Sequence, residues 1–531
     1  MRCPKCRKEN SGLDGVCHFC GCSLTQDTVT TENTNAASSN NLELPCRESG
    51  VKAKIEEFLE KNSRKMAELY GEEFVDQKTW GPEVAAKLII AYINREKGDK
   101  LWYKNISKIK KATGECERKL IVYTCHTGML AHTSRSLKVA RKLRELGHEV
   151  VFIADTNTKP DEEGKPTQRK YYELIKRAGF ETYNMPLQVG EDILIKNLHA
   201  DSPTLKLHTV RMIEEETRNM ISVLSKIKER KRNPDIMVTD FALVSNIPAE
   251  IMDIPVAAFC NFITTDYNKS ILSIPDRHPV REKLYRRGGD ELVESFGKSK
   301  LGKIILTIYL VSMGIPHFLV RMKLMIKEKK LLKLKLNINS QLAGDITLFP
   351  DYIAYGGMEI SHRALPVGPI VWEPESNVSD CELVNDFEEF LKKDREKPLI
   401  YVTMGSTGKL EMFKLIVEAL KNMDYRVAIT TGKQFDISEL GKLPDNFFAI
   451  PFYPGGEICK EASLMINHGG SGSMNQAIQN RVPQIALPTF AEQQWGSDLV
   501  VGKGLGKQIV LSKFSVESLN AALEELLPKI Q

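Results

Sequence analysis

The apolar positions of this chain form short continuous runs of strand length, separated by amphipathic stretches. Residues 119–124 and 150–154 are two such runs, and residues 133–146 between them carry apolar side chains at helical spacing. Residues 234–240 and 397–403 show further strand patterns. A strand, a helix and a second strand in this order form a βαβ arrangement. The pattern therefore predicts an α/β fold.

Before these runs the pattern changes twice. Residues 25–50 are largely polar and rich in Thr, Asn and Ser, which predicts a flexible linker. Residues 51–116 regain helical periodicity, with apolar side chains such as Ile55, Phe58 and Leu88. We expect a helical segment there.

Residues 1–24 contain two Cys-x-x-Cys pairs, Cys3 with Cys6 and Cys17 with Cys20. Two such pairs at this separation are typical of a zinc ribbon, in which four thiolates hold one Zn²⁺. A redox-active pair is the alternative, but no thioredoxin-like βαβ pattern surrounds these cysteines. We expect a structural zinc ion that holds this module together, and a protein partner to which the module docks.

Composition sets broad limits on function. The chain has 531 residues and 42% hydrophobic content, which is enough for two or three domains. Its 74 Lys and Arg against 69 Asp and Glu leave a formal charge of only +5, so charge does not indicate a nucleic acid partner. The N-terminus lacks the apolar region of a signal peptide. We expect a cytoplasmic protein.

One segment departs from this picture. Residues 304–320 carry no formal charge, and residues 321–335 carry seven basic side chains against one acid, Glu328. Gly314 and Pro316 interrupt the apolar run, which is shorter than the ~20 residues of a spanning helix. We favour a buried helix followed by a solvated basic one. The alternative is peripheral contact of residues 304–335 with the inner face of a membrane.

A glycine-rich turn follows the apolar residues 464–466. It reads His468-Gly-Gly-Ser-Gly-Ser-Met-Asn-Gln476, and we expect a helix from about Ser473. Backbone N–H groups at such a turn and the positive end of a helix dipole suit a diphosphate. His468 adds a donor or a positive charge. A glycine cluster alone is a weak motif, and a plain loop is the alternative.

Further motifs accompany this turn at fixed offsets. Downstream, the chain contains Arg481-Val-Pro and then a segment that begins at Pro488 and ends in Glu492-Gln493. Far upstream, a predicted strand, turn and helix lead to Gly147-His148. Together they resemble the family 1 glycosyltransferases of the two-Rossmann-domain (GT-B) type over residues 117–515. That family carries His-Gly-Gly-x-Gly-(Thr/Ser)-x-x-Glu, Gly-Val-Pro and Pro-x-x-x-Asp-Gln in this order.

The resemblance implies two Rossmann-like domains that face each other across a cleft. The N-terminal acceptor domain would comprise residues 117–375, and the C-terminal donor domain, for a nucleotide sugar, residues 376–531.

The resemblance also implies a set of donor-binding residues. These are Gly405, Ser406, Phe452, His468, Gly469, Gly470, Ser471, Gly472, Ser473, Gln476, Glu492 and Gln493. Phe452 belongs to the segment that stacks on the base, and Glu492 and Gln493 to the pair that holds sugar hydroxyls. Gln476 replaces the family's Glu at the ribose, and Glu492 replaces its Asp. Both replacements keep hydrogen-bonding capacity, but the identity of the donor sugar stays open.

For catalysis the resemblance implies His132 as the general base, because it precedes Gly147 by the family's interval of fifteen residues. His126 in the same turn is the rival. Asp240, at the end of a strand pattern, is implied to hydrogen-bond the catalytic His. An ordinary helix N-cap is the alternative for Asp240.

The implied activity is that of an inverting glycosyltransferase. A hexose-type sugar would pass from a nucleotide diphosphate donor, UDP-linked rather than dTDP-linked, to a hydroxyl of a lipid or small-molecule acceptor. His132 would take the acceptor proton, and His468 with the turn N–H groups would stabilise the leaving diphosphate, so no catalytic metal is expected. A sugar-nucleotide hydrolase or epimerase and a non-catalytic scaffold with a partner-binding zinc ribbon are the alternatives.

Overall fold

The computed structural model describes residues 50–72, 80–125, 127, 130–154, 156, 171–185, 209–241, 243–270, 272–276, 278–371, 381–405 and 407–527. The chain divides into two compact units, Met1–Arg47 and Glu48–Gln531. The predicted zinc ribbon and nearly all of the predicted linker lie outside the described residues, and so does His126.

A parallel sheet of seven described strands organises the N-terminal domain, in the order β3-β2-β1-β4-β5-β6-β7. Its strands are β1 Leu120–Cys125, β2 Glu149–Ala154, β3 Glu181–Asn184, β4 Ile236–Asp240, β5 Val256–Phe259, β6 Ile346–Phe349 and β7 Ala364–Pro366. Strands β1, β4, β5, β6 and β7 are buried along their whole length. Burial on both faces is typical of parallel sheets covered by helices.

Helices cover this sheet or precede it in the chain. They are α1 Gly50–Tyr70, α2 Trp80–Asn94, α3 Leu130–Glu145, α4 Tyr172–Arg177, α5 Val210–Arg230, α6 Asn246–Ile251, α7 Pro279–Lys298, α8 Lys300–Glu328 and α9 Ile338–Leu342. Short 3-10 helices lie at Trp102–Lys108, Glu115–Glu117, Phe262–Thr264 and Ile353–Tyr355.

The C-terminal domain repeats the architecture with six described parallel strands, in the order β10-β9-β8-β11-β12-β13. The strands are β8 Leu399–Thr403, β9 Arg426–Thr430, β10 Phe447–Ile450, β11 Ala462–Asn467, β12 Gln484–Ala486 and β13 Gly506–Gln508. Its helices are α10 Cys381–Lys392, α11 Leu410–Leu420, α12 Gly455–Glu461, α13 Ser471–Gln479, α14 Ala491–Gly502 and α15 Val516–Leu526. Two parallel sheets confirm the predicted α/β class.

The strand order in each sheet reverses once, between β1 and β4 and between β8 and β11. In open α/β sheets such switch points lie at the carboxyl ends of the strands and form ligand crevices. Cys125 pairs with Asp240 at the first reversal, and Asn467 with Thr403 at the second. The residues that follow these strands are therefore the ones positioned to build a site.

The helical segment at residues 51–116 belongs to the body of the larger unit. Met66 and Tyr70 of α1, with most of α2, join the core cluster of the N-terminal domain. In the N-terminal half of α1, Ile55 and Phe58 belong to the same hydrophobic cluster as Trp495 of α14 in the C-terminal domain. Helix α1 thus contributes apolar side chains to both domains.

The expectation for residues 304–335 was wrong in one respect. A single helix, α8, replaces the expected pair of a buried and a basic helix and continues through Arg321 and Lys323 to Glu328. It is not a core helix, because apolar side chains along one side stay exposed, among them Ile308 at 62% and Ile326 at 79%. Among the described residues, Lys300–Glu328 is a helix long and apolar enough to cross a membrane by length and composition alone.

Candidate active site

A cleft of about 80 Å³ lies between the two sheets. The N-terminal domain lines it with residues that follow β1, β5 and β6, and the C-terminal domain with the turn after β11 and with α14. The lining residues are Ala131, His132, Arg135, Asn261, Ile263, Asp351, Tyr355, Thr407, His468, Gly469, Gly470, Ser471, Met474, Asn475, Phe490, Glu492, Gln493, Gly496 and Leu499.

His132 and Asp240 form a pair on the N-terminal side. His132 lies in the first turn of α3, and Asp240 is the last residue of β4. Nδ1 of His132 is 2.7 Å from Oδ1 of Asp240, whose side chain is fully buried. The carboxylate accepts the Nδ1 proton in this arrangement, so the lone pair of the neutral ring lies on Nε2.

Arg135 shares the same carboxylate. One helical turn after His132, its Nε and NH2 donate to Oδ2 and Oδ1 of Asp240 at 2.7 and 2.5 Å. Burial acts to raise the pKa of Asp240, but the charges and hydrogen bonds of Arg135 and His132 outweigh it and hold that pKa below its usual value. Asp240 is therefore ionised at neutral pH.

Phe241 fixes the orientation of the imidazole from one side. Its ring stacks on that of His132, with centroids 5.1 Å apart and planes 21° from parallel. Phe241 has a φ of 54°, an uncommon value for a residue with a bulky side chain. This left-handed residue turns the chain directly after Asp240 and places the phenyl ring over the imidazole of His132.

Across the cleft, the turn after β11 is shaped by Asn467. Its Oδ1 accepts the N–H of Gly469 at 2.7 Å, and its Nδ2 donates to Gln484 at 2.9 Å. Gly469 has a φ of 75°, and a Cβ there would lie 2.9 Å from the carbonyl oxygen of Gln493. Helix α13 then begins at Ser471, two residues earlier than expected.

His468 lies in this turn with its side chain almost enclosed, at 9% exposure. Burial lowers its pKa to about 4, so the ring is neutral at pH 7. Its Nδ1 is buried and has no hydrogen-bond partner among the described residues. A buried polar atom without a partner costs free energy, and an incoming acceptor or donor group would recover it.

Gly405, after β8, packs directly against that ring. A Cβ at Gly405 would lie 2.6 Å from Cε1 of His468, and the φ of 53° also favours glycine. The next predicted donor-site residue, Ser406, lies outside the described residues.

Glu492 and Gln493 open α14 and face the cleft. Oε1 of Glu492 accepts from Nδ2 of Asn261, in the N-terminal domain, at 2.6 Å. Gln493 is held by Thr489, whose N–H and hydroxyl donate to its Oε1 at 2.8 Å, while its Nε2 donates to Thr407 at 3.3 Å. Both side chains are thus oriented before any ligand arrives.

Besides Gly405, four other described residues of the predicted donor set are not part of the cleft lining. Gly472 and Ser473 lie in the first turn of α13, and Phe452 follows β10 as a half-buried side chain. Oε1 of Gln476 would lie 2.5 Å from a Cβ on Gly455, so these two residues pack closely at the start of α12.

The cleft also contains residues that the motifs did not single out. Family 1 glycosyltransferases carry Gly-His-x-x-Pro or Gly-His-x-x-Arg after their first strand, and Arg135 stands at the last position of the corresponding residues here. The resemblance therefore offered a sequence signal for Arg135. Asp351 follows β6 and accepts the Phe262 N–H at 2.8 Å, and burial raises its pKa to about 7. Asn261 and Asp351 follow strands without a recognisable motif, so only the fold reveals them.

The described residues contain no group of three or more His, Cys, Asp or Glu side chains that could hold a metal ion. Cys3, Cys6, Cys17 and Cys20 lie outside them, so the zinc site stays a prediction.

Comparison with known proteins supports sugar transfer. Residues 414–529 match the family model of the erythromycin biosynthesis protein CIII-like C-terminal domain. The uncharacterized UDP-glucosyltransferase YojK of Bacillus subtilis is 30% identical over 171 residues, which are 32% of this chain and 40% of that protein. The NDP-glycosyltransferase YjiC of the same organism is 21% identical over 400 residues, 74% of this chain and 85% of that one.

Structural comparison gives the fold. The crystal structure of the glycotransferase of kitacinnamycin superposes with a TM-score of 0.50 at 18% identity, covering 78% of this chain and 91% of that one. The predicted GT-B fold is confirmed, and these matches together support the resemblance to family 1 glycosyltransferases.

Proposed function

We propose that this sugar-transfer enzyme moves a hexose-type sugar from a UDP-linked donor to a hydroxyl group of a lipid or small-molecule acceptor, with inversion. One observation carries the proposal. His132, backed by the buried carboxylate of Asp240, and a glycine turn at a helix N-terminus face the same cleft from opposite domains.

The N-terminal side supplies a base. With the Nδ1 proton held by Asp240, Nε2 of His132 is the atom that takes the acceptor proton. The acceptor oxygen attacks the anomeric carbon, the bond from that carbon to the diphosphate oxygen breaks, and its electron pair stays on the diphosphate. Asp240 then stabilises the imidazolium that forms. His126 remains the rival base.

The C-terminal side supplies the leaving-group site. The N–H groups at Gly470 and Ser471 begin α13, and the helix dipole adds a positive field there. His468 is neutral in the free protein and has an unpartnered nitrogen, so a diphosphate beside it would favour its protonated form. Such groups stabilise negative charge that develops in the transition state.

The donor sugar would lie between the two sides. Glu492 and Gln493 project from the start of α14 toward the cleft and are held in place by Asn261, Thr407 and Thr489. Pre-oriented acceptors suit sugar hydroxyls, because little side-chain entropy is lost on binding. YojK is named a UDP-glucosyltransferase, which favours a UDP-linked hexose.

The experiment is a donor and acceptor screen read by mass spectrometry. UDP- and dTDP-hexoses are incubated with lipid and small-molecule alcohols, using the wild type, His132→Ala and His126→Ala. We expect a glycosylated acceptor with UDP-hexose, a loss of turnover of ~10²–10⁴-fold in His132→Ala and little change in His126→Ala.

Other outcomes separate the alternatives. Release of free sugar or a changed sugar nucleotide without any acceptor would indicate a hydrolase or epimerase. A large loss in His126→Ala with full activity in His132→Ala would identify the other histidine as the base. Binding of a dTDP-hexose alone would correct the donor. Absence of binding of both UDP- and dTDP-hexoses would leave the scaffold alternative.

A further inference from the structure

Helix α8 has two apolar sides, and the protein covers only one of them. Its inner side includes Gly314, His317, Val320 and Leu324, all buried. The outer side carries exposed apolar side chains at successive helical turns: Leu301, Ile304, Ile308, Ile315, Leu319, Met322 and Ile326. We call these seven residues the outer stripe. A helix that is apolar all round is normally buried on every side.

The stripe lies along one face of α8, with exposed Ser312 between Ile308 and Ile315. Its members are spaced three, four or seven residues apart, which brings them onto one face of the helix. Exposures run from 39% for Met322 to 79% for Ile326. Large exposed apolar patches mark interaction sites, because leaving them in water costs free energy.

The charge around the stripe limits what can cover it. The basic side chains around the stripe fall into two groups. Arg321 is buried against Glu250, and Lys323, Lys330 and Lys333 pair with Glu214, Asp253 and Asp345. Lys300, Lys303 and Lys329 are exposed and place positive charge beside the stripe. A second copy of the chain would bring the same positive surface against this one, and like charges repel. An apolar stripe flanked by lysines instead matches an anionic lipid surface, with apolar side chains among the acyl chains and ammonium groups at the headgroups.

The packing of α8 favours lying on the surface over crossing it. Arg321 on its inner side is fully buried and donates to Glu250 at 2.7 Å. A Cβ at Gly314 would lie 2.2 Å from the carbonyl oxygen of Leu336, so α8 packs closely against the backbone of the segment that follows it. Insertion across a bilayer would break these contacts and expose Arg321 to hydrocarbon, which is costly.

We propose that the outer stripe of α8 binds the interface of an anionic lipid bilayer. Leu306 and Leu310, on the flank of the helix, pack against the cluster that contains Ile263 and Met474 of the cleft wall. One hydrophobic cluster therefore connects the flank of α8 with the cleft wall. If the protein transfers sugars as proposed above, a membrane-bound stripe near the cleft favours an acceptor that resides in the membrane. Only this last step rests on the proposed function.

The test is co-sedimentation of the full chain with vesicles. We expect binding to phosphatidylglycerol vesicles, weaker binding to phosphatidylcholine vesicles, and a decrease with added salt. The double variant Ile308→Glu/Leu319→Glu should lose at least about tenfold in partition coefficient. Lys300→Gln/Lys303→Gln should reduce binding to the anionic vesicles only.

The matched control is Ile360→Glu/Val501→Glu, which changes net charge equally at two exposed apolar residues outside α8. It should bind like the wild type, and circular dichroism with thermal unfolding establishes that each variant is folded. Equal binding by the stripe variant and the control would overturn the proposal, and so would failure of the wild type to bind anionic vesicles. A dimer in vesicle-free solution that the stripe variant abolishes would assign the stripe to a second copy instead. None of these readouts requires sugar transfer.

Discussion

Asn261 and Glu492 join the two domains inside the cleft through a hydrogen bond of 2.6 Å. Asn261 follows β5 and Glu492 opens α14, 231 residues later. The bond places the Glu492 carboxylate where a donor sugar would lie, and it also links the acceptor and donor sides. Glu492 therefore has two candidate roles, sugar contact and domain contact, which substitution can separate.

We expect Glu492→Ala to weaken binding of a UDP-hexose by about 1.5–3 kcal/mol, the cost of a lost hydrogen bond to a charged group. Binding of UDP alone should change little, because the nucleotide does not need this carboxylate. Isothermal titration measures both ligands, with Asn261→Ala as the control that removes the bridge and keeps the carboxylate. Equal losses in the two variants would mean that the bridge, and not a sugar contact, is what matters.

A second prediction concerns the buried ion pair of Asp240 and Arg135. Asp240→Asn leaves the Arg135 guanidinium, only 5% exposed, without its counter-charge. We expect a loss of about 3–5 kcal/mol in the free energy of unfolding, measured by chemical denaturation. The double variant Asp240→Asn/Arg135→Met should recover much of that stability but not the turnover, since His132 still lacks its carboxylate. A double variant no more stable than the single one would contradict this account.

The third prediction is a pH dependence that originates at His468. Its folded-state pKa of about 4 lies below the ordinary value of 6.5, so the unfolded chain takes up a proton first as pH falls. Between pH 7 and pH 5 this residue should cost roughly 2 kcal/mol of stability. His468→Gln should remove that part of the pH dependence.

Saturating UDP should weaken the same dependence in the wild type, because a diphosphate beside the ring favours its protonated form. Thermal unfolding with and without UDP at the two pH values measures this difference. If UDP leaves the pH dependence untouched, the diphosphate does not lie against His468.

The fourth prediction concerns the N-terminal cysteines. Wild-type protein should contain ~1 zinc ion per chain, and Cys3→Ser/Cys6→Ser should lose it, because two thiolates cannot complete a tetrahedral site. UDP affinity should stay unchanged, since the donor cleft is built from residues of the larger unit. Zinc is measured by mass spectrometry of the purified chain, with the exposed free Cys116→Ser as control. Retained zinc in the double variant would rule out the ribbon.

Much of the local structure could be predicted from the sequence because its causes are local. Strand β4 and helix α3 lie where apolar periodicity placed them, to within a few residues. The glycine turn after β11 and the helix that follows it were recognisable because a left-handed backbone favours glycine and a helix start favours small polar residues. A difference remains at Ser471, where the helix starts earlier than its motif suggested.

From the sequence alone one can predict the α/β class, the strand that ends in Asp240, the apolar run 464–466, and the positions of His132 and His468 after strand patterns. The sequence could not determine that Arg135 shares the carboxylate of Asp240, that Asn261 reaches Glu492, or that Asp351 lies in the cleft wall. Nor could it decide which side of α8 stays uncovered. Arg135 and Asp240 are 105 positions apart, Asn261 and Glu492 231, and Asp351 bonds a residue 89 positions away. Only the packing of the sheets and helices brings such residues together.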